Sequence, residues 1–327
     1  MHGPRPLVSV VCPAYQEEEG LPIFHEHLAA ILKPLEDRFR FEIVYVDDGS
    51  GDRTLEVLQA LSARDSRVGV LSLSRNFGHQ AALTAGLEHA RGDAVISMDA
   101  DLQHPPEIIS QLLSEWQAGF DVVITVREED ERLGWFKRFS SRTFYRLMKW
   151  FSDTEIRFAA SDFRLLSRRA LQALLKLDER HRFVRGLVQW IGFPIKEIMF
   201  RPNERCAGVS KYTLRRMLRL AGDGLFSFSR VPLRAPLWAG SVFFGLALLH
   251  ALLGLIGLGH GTASWHYLLL VVNLGIGSML WSIGIVGEYV GRVHEQVKGR
   301  PIYLLKECRL PASEETPAMS PVRRDAA

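Results

Sequence analysis

The sequence predicts an α/β protein: a mostly parallel sheet with helices on both faces, carrying a two-helix transmembrane hairpin near its C-terminus. Three observations carry that expectation. Short apolar runs alternate with helical patterns from residue 7 to residue 126. Polar, Asp-rich clusters follow those runs, where ligands of such sheets sit. Two long stretches beyond residue 235 contain no Asp, Glu, Lys or Arg.

Leu7–Cys12 is an apolar run ending at Pro13 and reads as a buried strand. Gly20–Phe39 has helical spacing, with Leu21, Phe24, Leu28, Ile31, Leu32 and Leu35 on one side. Phe41–Val46 is a second strand, closed by the turn Asp47-Asp48-Gly49-Ser50. Thr54–Leu61 is helical, Val68–Leu73 a strand and Gln80–Ala90 helical. Ala94–Met98 is a strand running into Asp99-Ala100-Asp101; Pro106–Ala118 is a helix and Asp121–Val126 a strand. These elements belong to a domain spanning residues 1–230.

The first uncharged stretch runs from Pro236 to Leu258 and the second from Trp265 to Gly287. Each is roughly 23 residues, enough at about 1.5 Å per residue to cross a hydrocarbon core of about 30 Å. Arg215, Arg216, Arg219, Arg230 and Arg234 precede the first; Arg292, Lys298, Arg300 and Lys306 follow the second; the connecting turn carries only His260. Positive flanks stay inside, so the large domain and the tail from residue 291 are expected in the cytoplasm, with residues 231–290 passing the inner membrane twice. The end of that tail, Pro311–Ala327, has a disordered composition. No leader precedes the first strand, and Cys12, Cys206 and Cys308 have no paired or metal-type spacing, which suits a reducing compartment. A net charge of +3 argues against a nucleic-acid partner.

Asp99-Ala100-Asp101 is the sharpest chemical signal. Two carboxylates one residue apart at a strand end can face one hard cation, Mg²⁺ or Mn²⁺, which in turn bridges phosphate oxygens. Asp also ends strands as turn chemistry, and alone the tripeptide fits either role. Its context is Pro13-Ala14-Tyr15-Gln16-Glu17 after the first strand and Asp47-Asp48-Gly49-Ser50-Gly51-Asp52 after the second. Together with Asp99–Glu107, these segments resemble the nucleotide-sugar-binding half of family-two glycosyltransferases of the GT-A fold. Ser161-Asp162-Phe163-Arg164-Leu165 and Arg201–Tyr212 are similar to acceptor-side motifs of the polyprenyl-phosphate members, among them dolichyl-phosphate mannose synthases and the bacterial undecaprenyl-phosphate glucosyl and formamido-arabinose transferases.

The resemblance implies transfer of a sugar from a nucleotide-sugar, UDP-linked by preference, to a polyprenyl phosphate such as undecaprenyl phosphate, with inversion. Pro13, Tyr15 and Glu17 would line the base and ribose pocket, with Val46 and Asp48 completing it; Asp47 is as well suited to holding its turn. Ala100, Asp101 and Gln103 would lie along the diphosphate, Asp101 as the direct metal ligand and Asp99 as a ribose or metal contact. Arg127 would meet donor phosphate or sugar. Arg205 and Lys211 would draw the donor diphosphate and acceptor phosphate together, offsetting the repulsion of two anions. A solvated loop is their ordinary alternative.

Asp162 has two open roles. It could remove an acceptor proton, or it could position an acceptor phosphate that is already largely dianionic at neutral pH. Two basic, aromatic stretches, 135–151 and 212–228, suit the lipid headgroup layer, although the first equally suits packing on its own domain. His79 and His104 neighbour the site and read as structural. A processive polysaccharide synthase would want a Gln-x-x-Arg-Trp motif, absent at Gln189-Trp190, and a non-catalytic membrane scaffold would not need the acidic pair. No Gly-x-Gly-x-x-Gly follows the first strand, against a dinucleotide-binding oxidoreductase. Self-association is left open.

Overall fold

In the computed structural model, which describes residues 5–101, 103–127, 160–180, 182–201, 233, 236, 238–246, 249 and 264–311, the apolar runs become neighbours in one sheet. The first half is β1 (Leu7–Ala14), α1 (Gly20–Leu32), β2 (Arg40–Asp47), α2 (Thr54–Arg64), β3 (Val68–Leu73), α3 (His79–His89) and β4 (Ala94–Ser97). After it come α4 (Ile109–Gln117), β5 (Val122–Arg127), β6 (Ala160–Ser167), α5 (Arg168–Leu175), α6 (Val184–Trp190) and β7 (Ile195–Phe200). A long helix, α7 (Ser264–Val297), and an edge strand, β8 (Leu305–Arg309), complete the described elements.

The strand order is β7-β5-β6-β4-β1-β2-β3-β8. β1 pairs in parallel with β2 and β4, β2 with β3, and β5 with β7. β6 runs antiparallel between β4 and β5, and β8 runs antiparallel along β3. Central parallel strands have helices over both faces, so their side chains are buried on alternate sides. Val8, Val10, Cys12 and Ala14 join Leu21, Phe24 and Leu28 of α1, Leu58 of α2 and Leu112 of α4 in one core. Val11, Val44 and Val46 meet Leu83 of α3, Leu171 of α5 and Leu187 of α6 in the other. Gly86 lets α3 approach closely, since a Cβ there would lie 2.3 Å from Val11 Cγ1.

The helix read over Gly20–Phe39 is shorter than expected. It ends at Leu32 and tightens into a 3₁₀ turn, Lys33–Leu35, where Pro34 has no N–H to continue the ladder. The segment read as a tail also supplies a strand: Leu71 faces Cys308 and Ser72 faces Glu307 across the β3–β8 pair.

α7 contains the expected second span, and its part Val271–Val297 is long and apolar enough to cross a membrane. Leu274, Ile276, Leu280 and Trp281 are among its exposed apolar side chains. Within the first expected span, residues 238–246 are helical. The stretches 135–151 and 212–228, most of 236–258, the turn 259–263 and the tail end beyond residue 311 lie outside the described residues.

Candidate active site

The registers of β1, β2 and β4 bring their carboxyl ends to one edge. Ala14 pairs with Asp47 and Val11 with Ser97. The Asp48 N–H donates to Ala14 O at 3.0 Å and the Met98 N–H to Val11 O at 3.0 Å. The loops that follow are tied together. Gln16 takes the left-handed conformation, φ 54°, at a cost of about 1–2 kcal/mol. Its N–H meets Ser50 Oγ at 3.0 Å, and the Glu17 N–H meets Thr54 Oγ1 at 2.9 Å.

Asp47 holds its turn as read, accepting from the Ser50 N–H at 3.0 Å and from Ser72 Oγ at 3.0 Å. Asp48 accepts the Phe77 N–H at 2.8 Å and the Gly78 N–H at 3.0 Å, so its carboxylate shapes the loop after β3. Burial raises its pKa, against those two amides. The two loops touch at Gly49, φ +64°, where a Cβ would stand 2.3 Å from the Arg75 carbonyl carbon. Only glycine meets both conditions.

Asp99 and Asp101 stand on a turn pinned from behind by His104. The Asp99 N–H donates to His104 Nδ1 at 3.0 Å, so Nε2 carries the ring proton and donates to Ser161 Oγ at 2.8 Å. Burial keeps the His104 pKa below its ordinary value despite the nearby carboxylates, and its ring stacks on Phe163 at 5.3 Å. Asp101 Oδ1 accepts the Gln103 N–H at 3.1 Å.

β6 brings Asp162 to the same edge because it runs against β4: Ser97 faces Arg164 and its Oγ donates to Asp162 O at 2.6 Å. Asp162 is 3% exposed. Arg185 of α6 donates to it twice, Nε to Oδ1 at 3.1 Å and Nη2 to Oδ2 at 2.6 Å, and Arg164 Nη2 donates to Oδ1. Burial would raise its pKa, but Arg185 and Arg164 together outweigh burial and hold the carboxyl well below the usual carboxylate range. Arg164 is itself buried, and its Nε has no hydrogen-bond partner among the described residues. His79 links this basic half to the acidic one, its Nε2 3.2 Å from Asp99 Oδ1 and 3.6 Å from Asp162 Oδ2.

Of the residues picked from the sequence, Tyr15, Glu17, Asp48, Asp99, Ala100, Asp101, Gln103 and Asp162 gather at this edge, and Arg127 ends β5 in register with Phe200. Pro13 and Val46 pair across β1 and β2 and are buried beneath it. Arg205 and Lys211 lie outside the described residues. Arg164 and Arg185 received no role from the sequence. Arg164 carried a signal, two residues after Asp162 on one side of a strand; Arg185, on a separate helix, carried none. His104 sits behind the Asp99–Asp101 turn, whereas His79 stands between Asp99 and Asp162.

Two carboxylates on one pinned turn thus face an arginine-braced carboxylate across the carboxyl edge of the sheet. A profile of glycosyl transferase family 2 matches residues 9–175, just over half of the 327-residue chain, and the chain belongs to that family. It is a glycosyltransferase of α/β, GT-A architecture with an apolar C-terminal helix. The uncharacterized glycosyltransferase YkcC of Bacillus subtilis (strain 168) is 36% identical over 302 residues, covering 91% of this chain and 93% of its own. The SfII prophage-derived bactoprenol glucosyl transferase of Shigella flexneri is 37% identical over 305 residues, covering 92% and 97%. Among solved structures, glucosyl-3-phosphoglycerate synthase from Mycobacterium tuberculosis, with Mn²⁺, UDP and glucosyl-3-phosphoglycerate, overlaps with a TM-score of 0.44 at 20% identity, covering 66% of this chain and 76% of that one.

Proposed function

We propose that this chain transfers a sugar from a nucleotide-diphosphate sugar, UDP-linked by preference, to a polyprenyl phosphate such as undecaprenyl phosphate at the cytoplasmic face of the inner membrane. The observation that carries the reading is Asp162 fastened between Arg164 and Arg185. A carboxylate so strongly stabilised in its charged form is a poor proton acceptor. That suits an acceptor which arrives ionised, and a phosphate monoester does. The relatives' bactoprenol, a polyprenol, supports the same class of acceptor.

Donor binding falls to the edge formed by Tyr15, Glu17, Asp48 and the Asp99–Gln103 turn. Asp101, with Asp99 beside it, would hold a divalent cation, Mg²⁺ or Mn²⁺, through hard carboxylate oxygens. The chemistry supplied by a cation held there would be neutralisation of the charge building on the departing nucleotide diphosphate. Arg164 and Arg185, beside Asp162, leave one net positive charge on the acceptor side; Arg127 would meet donor phosphate or sugar, and Arg205 and Lys211, outside the described residues, keep the role the sequence gives them of drawing the two anions together. An acceptor phosphate oxygen attacks the anomeric carbon, the bond from that carbon to the diphosphate oxygen breaks, and configuration inverts. No side chain has to take a proton.

An exposed apolar helix needs a non-aqueous surrounding, so α7, together with the stretch 236–258, forms the membrane anchor. Basic flanks keep the catalytic domain and the C-terminus in the cytoplasm. The direct test incubates vesicles holding the protein and undecaprenyl phosphate with a panel of nucleotide-sugars and weighs the lipid product by mass spectrometry. A lipid phosphate heavier by one glycosyl residue is expected; donor turnover without a lipid product would sink the reading.

A further inference from the structure

α7 has 34 residues and so is about 51 Å long, well beyond the roughly 30 Å of a hydrocarbon core. Its last turns carry the polar residues Glu288, Arg292, His294 and Glu295, so the apolar length of the helix lies mostly before them. Their end is fastened to the loop between α5 and α6. Gln296 works like a short piece of strand: its Oε1 accepts the Arg180 N–H at 2.9 Å while its Nε2 donates to Asp178 O. Arg180 Nη1 returns to the helix end, donating to Glu295 O at 3.3 Å and to Arg300 O at 2.9 Å. A cation on the last carbonyls of a helix is also favoured by the helix dipole.

The same loop leads straight into the reaction centre. The Val184 N–H, at the start of α6, donates to Gln80 Oε1 at 3.2 Å, next to His79 in α3. The following residue, Arg185, holds Asp162. A second tie reinforces the first: Glu88 of α3 takes the Tyr303 hydroxyl at 2.6 Å and pairs with Arg182 at 3.4 Å. α3, which carries His79, is thus bonded to the segment leaving α7, and the loop that leads into α6 and Arg185 is bonded to the end of α7.

We propose that Arg180 and Gln296 are positioning residues, a joint that sets the reaction centre at a fixed height and angle over the bilayer so that a membrane-held phosphate meets it. The joint rests on the membrane and lipid-phosphate reading above. Its effect is geometric. A lipid acceptor approaches from one plane only, and misplacement by about 1 Å can cost on the order of 10²-fold in rate. A water-soluble acceptor approaches from any direction and does not need the joint.

The test uses the full chain in phosphatidylethanolamine–phosphatidylglycerol vesicles, comparing wild type with Gln296→Ala, Arg180→Ala and Arg180→Lys. Each is given vesicle-embedded undecaprenyl phosphate or a soluble two-isoprene phosphate. For the alanine variants, kcat/KM with the embedded acceptor should fall about 10-fold or more while the soluble acceptor changes less than about 2-fold, and Arg180→Lys should recover part of the loss. Equal losses on both acceptors, or none on either, would overturn the joint. Amide hydrogen exchange keeps the two readings apart. Arg180 and Val184 should exchange faster in Gln296→Ala whatever the acceptor, and unchanged exchange would also overturn the joint. A wild type active on neither acceptor would instead count against the proposed function.

Discussion

Arg185 reaches from α6 to grip Asp162 on β6 with two hydrogen bonds, of 3.1 Å and 2.6 Å, across 23 positions of sequence. The pair turns a residue with the credentials of a base into a fixed anion. Asp162 braces two guanidinium groups, those of Arg164 and Arg185.

Asp162→Asn tests the brace. The variant leaves the buried Arg164 without its anion and should cost about 3–5 kcal/mol of stability, read by denaturant unfolding. Because the folded pKa is depressed, the stabilisation is present above the unfolded value of about 3.9 and is lost only as pH falls through the folded value beneath it. Between pH 6 and 8 the fractional loss of turnover should therefore be flat. A loss of about 10²–10⁴-fold at saturating lipid that recovers as pH rises would instead mark Asp162 as a general base.

Asp101→Asn keeps size and removes one anionic oxygen from the donor edge. Transfer should collapse, and excess Mn²⁺ should restore only part of it. Assays with and without chelator complete the measurement, since wild-type activity undiminished by chelator would rule out the metal.

Gly49→Ala would force a Cβ to within 2.3 Å of the Arg75 backbone at a left-handed φ. A loss of more than about 1 kcal/mol is expected. Nucleotide affinity, followed by calorimetry, should weaken with it, because Asp48 on the loop after β2 is bonded to the Phe77 and Gly78 amides of the loop after β3. Unchanged affinity in a destabilised variant would separate these loops from the donor pocket.

Reporter fusions test the topology. A fusion after Lys306 should report cytoplasm and an insertion near Gly261 the opposite side. β8 sharpens this expectation: Leu305–Arg309 pairs with β3, so a tail found outside would tear a strand from the catalytic sheet.

The order of strands and helices through β5, the Asp99–Asp101 turn and the apolar stretch within α7 were legible in the residues alone. Each is a local signal, a period of two or of 3.6, a turn residue after an apolar run, or an unbroken apolar length, legible without knowing what lies nearby. The antiparallel run of β6 beside β4, the edge strand formed by residues 305–309 of the supposed tail, and the meeting of Arg180 with Gln296 came to light in the folded chain. Those pairings join distant residues, and a short apolar run fits several neighbours equally well until register and the two cores select one. The charge on Asp162 was decided there too. Burial alone would have made it a weak acid suited to a base's role; two arginines, one from a helix that no nearby motif announced, reversed the sign.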